Sequence, residues 1–181
     1  DFAGKNSTYD LENGGGKSVL FMMLLQTVLP KTNLRREKPI GLLFQGGKER
    51  TSHVVVEWIL EEGGAYKYLL TGFAARKRKG AGDAAESEEE EEQLLAGDVE
   101  HLNWCVFHKE QKPAGVHGVP LVREQNGKKS YASFEDIRKY IQQMKQKGLP
   151  AEIFDKIEQY QHFIATHSLI AAEWNIIRGI N

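Results

Sequence analysis

Lys17 and Ser18 stand directly behind three consecutive glycines, Gly14, Gly15 and Gly16, within the stretch TYDLENGGGKSVLFMMLLQTVLP. Those residue types in that order suit one chemistry, the cradling of a nucleotide's phosphates. Glycines let successive backbone N–H groups wrap an anion without Cβ clashes. A lysine reaches the β- and γ-phosphates, and a hydroxyl holds Mg²⁺. A helix beginning at the same place turns its positive dipole end to the anion. Gly14, Gly15, Gly16, Lys17, Ser18 and the helix start at Val19 are therefore the candidate phosphate-binding residues. Lys17 is the catalytic candidate and Ser18 the candidate Mg²⁺ ligand. The pattern G-x-x-x-x-G-K-[ST] is broken at its first position, where Leu11 stands for glycine. The plainer reading of the stretch is a glycine-rich turn before a core helix.

Hydrolysis would also require a carboxylate pair at the end of an apolar strand, to order Mg²⁺ and polarise water. No run of four apolar residues followed by Asp-Glu occurs. HVVVEWIL offers Glu57 alone, in mid-strand, and a solvent-facing strand residue is the simpler expectation for it. The chain thus carries the binding half of a nucleotide site without an evident catalytic half.

The elements that would position these residues follow from periodicity. Ser7–Leu11 reads as a short strand running into the glycines. Ser18–Leu29 reads as a helix, with Val19, Met22, Met23, Gln26 and Leu29 at helical spacing, apolar enough to be buried throughout and stopped by Pro30. The basic loop KTNLRREKP follows. IGLLF, HVVVEWIL, KYLLTGFAAR and NWCVFHKE read as strands, rich in Val, Leu and aromatics. Residues 75–100 read as a solvated charged insertion, with the basic tetrad Arg76–Lys79 ahead of the acidic run Glu86–Glu92. VHGVPLVREQNGKKSYA reads as a loop or hairpin turning at Asn126-Gly127. Ser133 and Asp136 open a helix whose apolar face is Ile137, Tyr140, Ile141 and Met144, and Gly148 and Pro150 end it. Residues 151–181 read as helical, with Trp174, Ile177 and Arg178 near the end. The order of elements is an α/β pattern.

The 181 residues are enough for one domain. With 40% hydrophobic and 27% charged residues and a net charge of −1, the composition is that of a globular protein without a bulk attraction for nucleic acid. The single cysteine, Cys105, cannot form an internal disulfide and is simplest as a core residue. No apolar run approaches the roughly 18 residues of a membrane span, so a cytoplasmic protein is expected. The start at Asp1-Phe2-Ala3 suggests a piece of a longer chain. His101 and His108 flank Cys105, but without a second cysteine they do not suggest zinc.

LENGGGKSVLFMMLLQTVLP resembles the N-terminal Walker A segment of SMC-like ATPases, G-x-N-G-x-G-K-[ST], matching at Asn13, Gly14, Gly16, Lys17 and Ser18 and departing at Leu11. LRREKPIGLLFQGGKERTSHVVVEW is similar to the family's arginine-bearing loop, "LIF-G" element and following strand. QYQHFIATHSLIAAEWNIIRGIN looks like the end of an N-terminal head lobe before its coiled coil, in the manner of MukB-like and bacterial defence SMC-like proteins of the Lamassu or Wadjet type. The resemblance is strongest over residues 8–60.

The resemblance implies a P-loop NTPase fold of ABC/SMC head type: an N-terminal lobe spanning 1–181, with a mixed β-sheet and flanking helices, leading toward a coiled coil. It implies an ATPase that binds ATP and Mg²⁺. Walker B and the signature motif would come from a C-terminal lobe, and no LSGGQ-like signature is present here. Two heads would clamp two ATP molecules, and hydrolysis would release them. The cycle would act on DNA with accessory subunits, in chromosome organisation or in defence against plasmids and phages. Arg35, Arg36 and Lys38 become the DNA candidates, and Gln161 or Gln159 the Mg²⁺-sensing glutamine, although each glutamine also suits an exposed helix position. Two other readings stand beside this one. A self-sufficient small P-loop kinase or GTPase would need its own acidic Mg²⁺ partner. A non-catalytic binding module would keep the loop as architecture.

Overall fold

The computed structural model describes residues 16–28, 51–60, 64–77, 99–110, 115–125 and 127–167. In chain order they form helix α1 (Lys17–Leu25) and strands β1 (Ser52–Ile59), β2 (Tyr68–Lys77) and β3 (Val99–His108). A 3-10 turn (Val116–Gly118), strands β4 (Val122–Gln125) and β5 (Lys128–Tyr131), helix α2 (Phe134–Gln146), strand β6 (Ala151–Phe154) and helix α3 (Ile157–Thr166) follow. The architecture is mixed α/β. One sheet runs in the order β1-β2-β3-β6, β4 and β5 form a separate hairpin, and all these pairings are antiparallel.

Strand alternation divides the core between the two faces of the large sheet. On one face Leu70, Ala74, Leu102, Trp104 and Val106 meet α2 through Ile137, Tyr140, Ile141 and Met144, the helix face expected from the sequence. On the other, Leu69, Cys105 and Phe154 meet Leu25 of α1, Val28 just beyond it, and Tyr160 and Ile164 of α3. Gly72 pairs in register with Trp104, whose indole lies across it: a Cβ there would stand 1.9 Å from Trp104 Cε2. The edge of that indole meets the Tyr140 ring at a centroid distance of 5.9 Å.

Helix α2 begins with a reciprocal cap. The Ser133 hydroxyl accepts from the Asp136 N–H at 3.3 Å, and the Asp136 carboxylate accepts from the Ser133 N–H at 2.7 Å. Gly148, at φ 76°, takes the left-handed conformation that releases the chain into β6. Gly127, at φ 73°, closes the β4–β5 hairpin where the sequence places its turn.

Three sequence expectations are corrected. Regular helix in α1 ends at Leu25, and its first half is not buried: Val19, Leu20 and Phe21 are 45%, 40% and 49% exposed. The segment is apolar on every side, so its pattern contains no polar stripe to show which side the sheet leaves uncovered. Residues 151–154 are strand rather than helix. They pair with β3 from Val106↔Ala151 to Asn103↔Phe154, and the Phe107 N–H donates to the Pro150 carbonyl at 2.8 Å. The span 75–100 is not all insertion, because β2 and β3 stay zipped as far as Lys77↔Val99. Arg76 is held there by Glu100 at 2.7 Å and lies over the Phe134 ring.

Several sequence expectations lie outside the described residues: the strands at Ser7–Leu11 and 40–44, the stop at Pro30, the acidic run Glu86–Glu92, and Trp174, Ile177 and Arg178. No helix among the described residues is long and apolar enough to cross a membrane.

Candidate functional site

Gly16, Lys17, Ser18 and Val19 are the phosphate-loop candidates within the described residues, whereas Asn13, Gly14 and Gly15 lie outside them. Gly16 is the N-cap of α1 and takes the left-handed conformation, φ 82° and ψ 15°. Among the described residues a Cβ there would meet nothing within 4 Å, and the glycine serves the backbone angle. An ordinary L-residue in that region costs about 1–2 kcal/mol. Lys17 and Ser18 are the first two residues of the helix, and the Gly16 carbonyl accepts its first helical bond, from Leu20 N–H at 2.9 Å.

Among the described residues no side chain caps the first turn, no acidic residue lies in that turn, and Gly16 and Ser18 are exposed. The leading N–H groups of a helix have no partner within the helix. With the dipole's positive end behind them, such groups suit an anion.

The opposite end of α1 is anchored. Thr27 Oγ1 donates to the Leu24 carbonyl at 2.8 Å, and Gln26 Nε2 donates to the Met22 carbonyl at 3.0 Å. The Tyr160 hydroxyl donates to the Thr27 carbonyl and ties α3 to this end. Burial pushes the Tyr160 phenol well above its ordinary pKa, so it remains a donor. At 1.5 Å per residue, Thr27 is about 16 Å along the axis from Gly16. Gln159 and Gln161 therefore sit on the helix that meets α1 at the end away from Gly16. Gln159 is exposed and Gln161 half-buried.

Glu57 does not face solvent as expected. Its side chain is 9% exposed, accepts from the Val116 N–H at 3.0 Å and lies 3.7 Å from Nε2 of the buried His108. His108 Nδ1 lies 2.6 Å from the Glu110 carbonyl, which can only accept, so this nitrogen carries the proton. Glu57 shares its side of β1 with His53, which reaches the Ala132 carbonyl at 2.7 Å, and with Val55, which packs on the α2 cluster. Trp58, one position along, joins the α1–α3 cluster. The sheet thus stands between the Glu57 carboxylate and α1, and Glu57 is turned away from a cation at Ser18. The three valines ahead of Glu57 mask its facing, since an apolar run has no period-2 signal. Only the strand register brings residue 57 to residue 108.

The remaining candidates are dispersed. Arg35, Arg36 and Lys38 lie outside the described residues. Cys105 is buried, and burial first, with the Glu152 charge behind it, pushes its thiol up to about 12. His101 bonds to the Asn103 side chain at 3.1 Å and stacks on Phe73, while His108 projects from the other side of β3. No group of three or more metal-ligating side chains occurs among the described residues. The chain matches no family model, no curated protein and no solved structure.

Proposed function

We propose that this chain is the ATP-binding N-terminal half of an SMC-like ATPase head, with the P-loop fold of that class. The supporting observation is the junction at Gly16–Ser18, where a left-handed glycine delivers the chain into an exposed helix start that no described side chain caps and whose first residues are lysine and serine. Those groups fit a nucleotide triphosphate with Mg²⁺. Gly14 to Gly16 would offer backbone N–H groups to the phosphates, Lys17 a charge to the β- and γ-phosphates, and Ser18 a hydroxyl to the metal. The metal supplies charge neutralisation on the phosphates.

The facing of Glu57 favours a split site over a self-sufficient kinase or GTPase. The carboxylate that the sequence offered for Mg²⁺ is spent on the Val116 turn, across the sheet from Ser18. The catalytic carboxylate then belongs to a C-terminal lobe. A second head, accessory subunits and DNA complete a machine of the chromosome-organising or plasmid- and phage-defence kind, in the cytoplasm.

The test is ATP binding by the full-length protein and its Lys17→Ala variant, followed by fluorescent-nucleotide titration. Loss of binding in the variant is the expected result, and equal affinity would remove the assignment.

A further inference from the structure

A line of hydrogen bonds crosses the side of the sheet on which α1 and α3 lie, and it ends at α1. It begins on β1, where Trp58 Nε1 donates to Thr71 Oγ1 of β2 at 2.8 Å. A hydroxyl has one proton to give and lone pairs to receive with. Having received from Trp58, the Thr71 hydroxyl gives its proton to the hydroxyl of Tyr160 on α3. Tyr160 gives its own to the Thr27 carbonyl. The bonds all run the same way, and bonds so aligned polarise one another in a dry interior. Thr71, Tyr160 and Thr27 are all buried. Thr27 stands just beyond the regular part of α1, where carbonyls find no partner within the helix. It therefore depends on the phenol rather than on bulk water.

Helix α1 is held from one end. Among the described residues its core contacts come from Met22 and Leu25, with Val28 just beyond, whereas Val19, Leu20 and Phe21 are exposed. Apolar burial is non-directional and does not by itself fix the tilt of a helix. A hydrogen bond does, because it weakens steeply as its angle bends. A tilt of about 4° at Thr27 moves Lys17, about 15 Å away along the axis, by about 1 Å. Binding groups must be held to about 0.5 Å. We propose that Thr71 and Tyr160, with Trp58 behind them, are positioning residues for the phosphate-binding end of α1. Their line of hydrogen bonds sets the helix on the sheet, and with it the place where Lys17 and Ser18 meet a nucleotide. The effect on nucleotide rests on the ATP reading above, whereas the hold on α1 does not.

The test combines ATP titration with amide hydrogen exchange on the full-length protein. Tyr160→Phe keeps the ring and removes its oxygen. Thr71→Val keeps the shape and breaks the line one step earlier, and Thr71→Ser keeps the hydroxyl. Ile141→Val, on the opposite face of the sheet, lowers stability without touching the line. All are compared at a temperature where circular dichroism shows each of them folded. ATP affinity should fall about tenfold in Tyr160→Phe and Thr71→Val and stay native in Thr71→Ser and Ile141→Val. Without nucleotide, the amides of Leu20 to Leu25 should exchange about tenfold faster in Tyr160→Phe, with those of α2 unchanged. Affinities within about threefold of native in Tyr160→Phe and Thr71→Val overturn the proposal. So does an equal loss in Ile141→Val or Thr71→Ser, or native exchange of α1 in Tyr160→Phe. Lys17→Ala is titrated in parallel. If the native protein binds ATP no better than Lys17→Ala, the ATP reading fails, and the nucleotide-free exchange decides the hold on α1 by itself.

Discussion

Replacing Gly72 by alanine probes the contact between the two central strands on the side of the sheet that α2 covers. An added methyl carbon would lie 1.9, 2.2 and 2.3 Å from three atoms of the Trp104 indole. Ordinary carbon contacts lie near 3.5–4.0 Å, so the ring or the strand must move by roughly 1.5 Å. Neither moves freely. Gly72 is paired on both sides, with Val55 and with Trp104, and the fully buried indole has Tyr140 behind it. Overpacking of a filled core costs about 1–3 kcal/mol and occasionally more. A displacement of this size against two ladders belongs at or above the upper end, about 3 kcal/mol. For a chain of this length that corresponds to a fall in Tm of roughly 6–12 °C. Urea unfolding followed by tryptophan fluorescence measures it as a lower midpoint at unchanged slope. The Trp104→Phe background supplies the decisive comparison, because a smaller ring removes much of the clash and the loss caused by Gly72→Ala should shrink by 1 kcal/mol or more. A loss below 1 kcal/mol in the native background, or the same loss in both backgrounds, would refute the seating of Trp104 on Gly72.

Three further outcomes are expected. His53 donates through Nε2 to the Ala132 carbonyl, its buried Nδ1 has no hydrogen-bond partner among the described residues, and burial lowers its pKa below 6.5. The unfolded chain takes up this proton first, so stability is full above pH 6.5 and is lost as pH falls from there through the lowered folded value; a urea midpoint series from pH 7.5 to 5 should decline less in His53→Gln than in the native protein. Burial raises the Asp136 pKa, but the Ser133 hydroxyl and N–H, with Arg123 and Lys139, outweigh it and hold the carboxyl below 3.8. Asp136 therefore stabilises the fold above pH 3.8 and less as pH falls through its lowered value, and Ser133→Ala should cost about 1 kcal/mol at neutral pH, with native circular dichroism retained. Cys105, with its thiol pushed up to about 12 beneath α3, should react with a thiol reagent only as fast as the protein opens; labelling independent of urea would show that the thiol is reachable in the native fold.

The α2 cap and core face are legible in the sequence because both are local. Ser133 and Asp136 are three residues apart, and Ile137, Tyr140, Ile141 and Met144 repeat at the helical period. The strand cores of β1, β2 and β3 were legible from β-branched and aromatic runs, and the hairpin turn from Asn126-Gly127. Lys17 and Ser18 were marked by their place after glycine, and Gly16 adopts the left-handed angle that only glycine takes without penalty. What the residues alone determined was therefore whatever lies within a turn or two of chain. Tertiary structure decided the rest. It sets which side of the sheet Glu57 occupies, because a run of valines is compatible with burial on either face. It leaves the first half of α1 exposed, because an apolar helix without a polar stripe carries no instruction about its partner. It draws residues 151–154 into β6, because a short strand at a sheet edge is specified by the backbone groups of β3 waiting beside it and not by its own four residues.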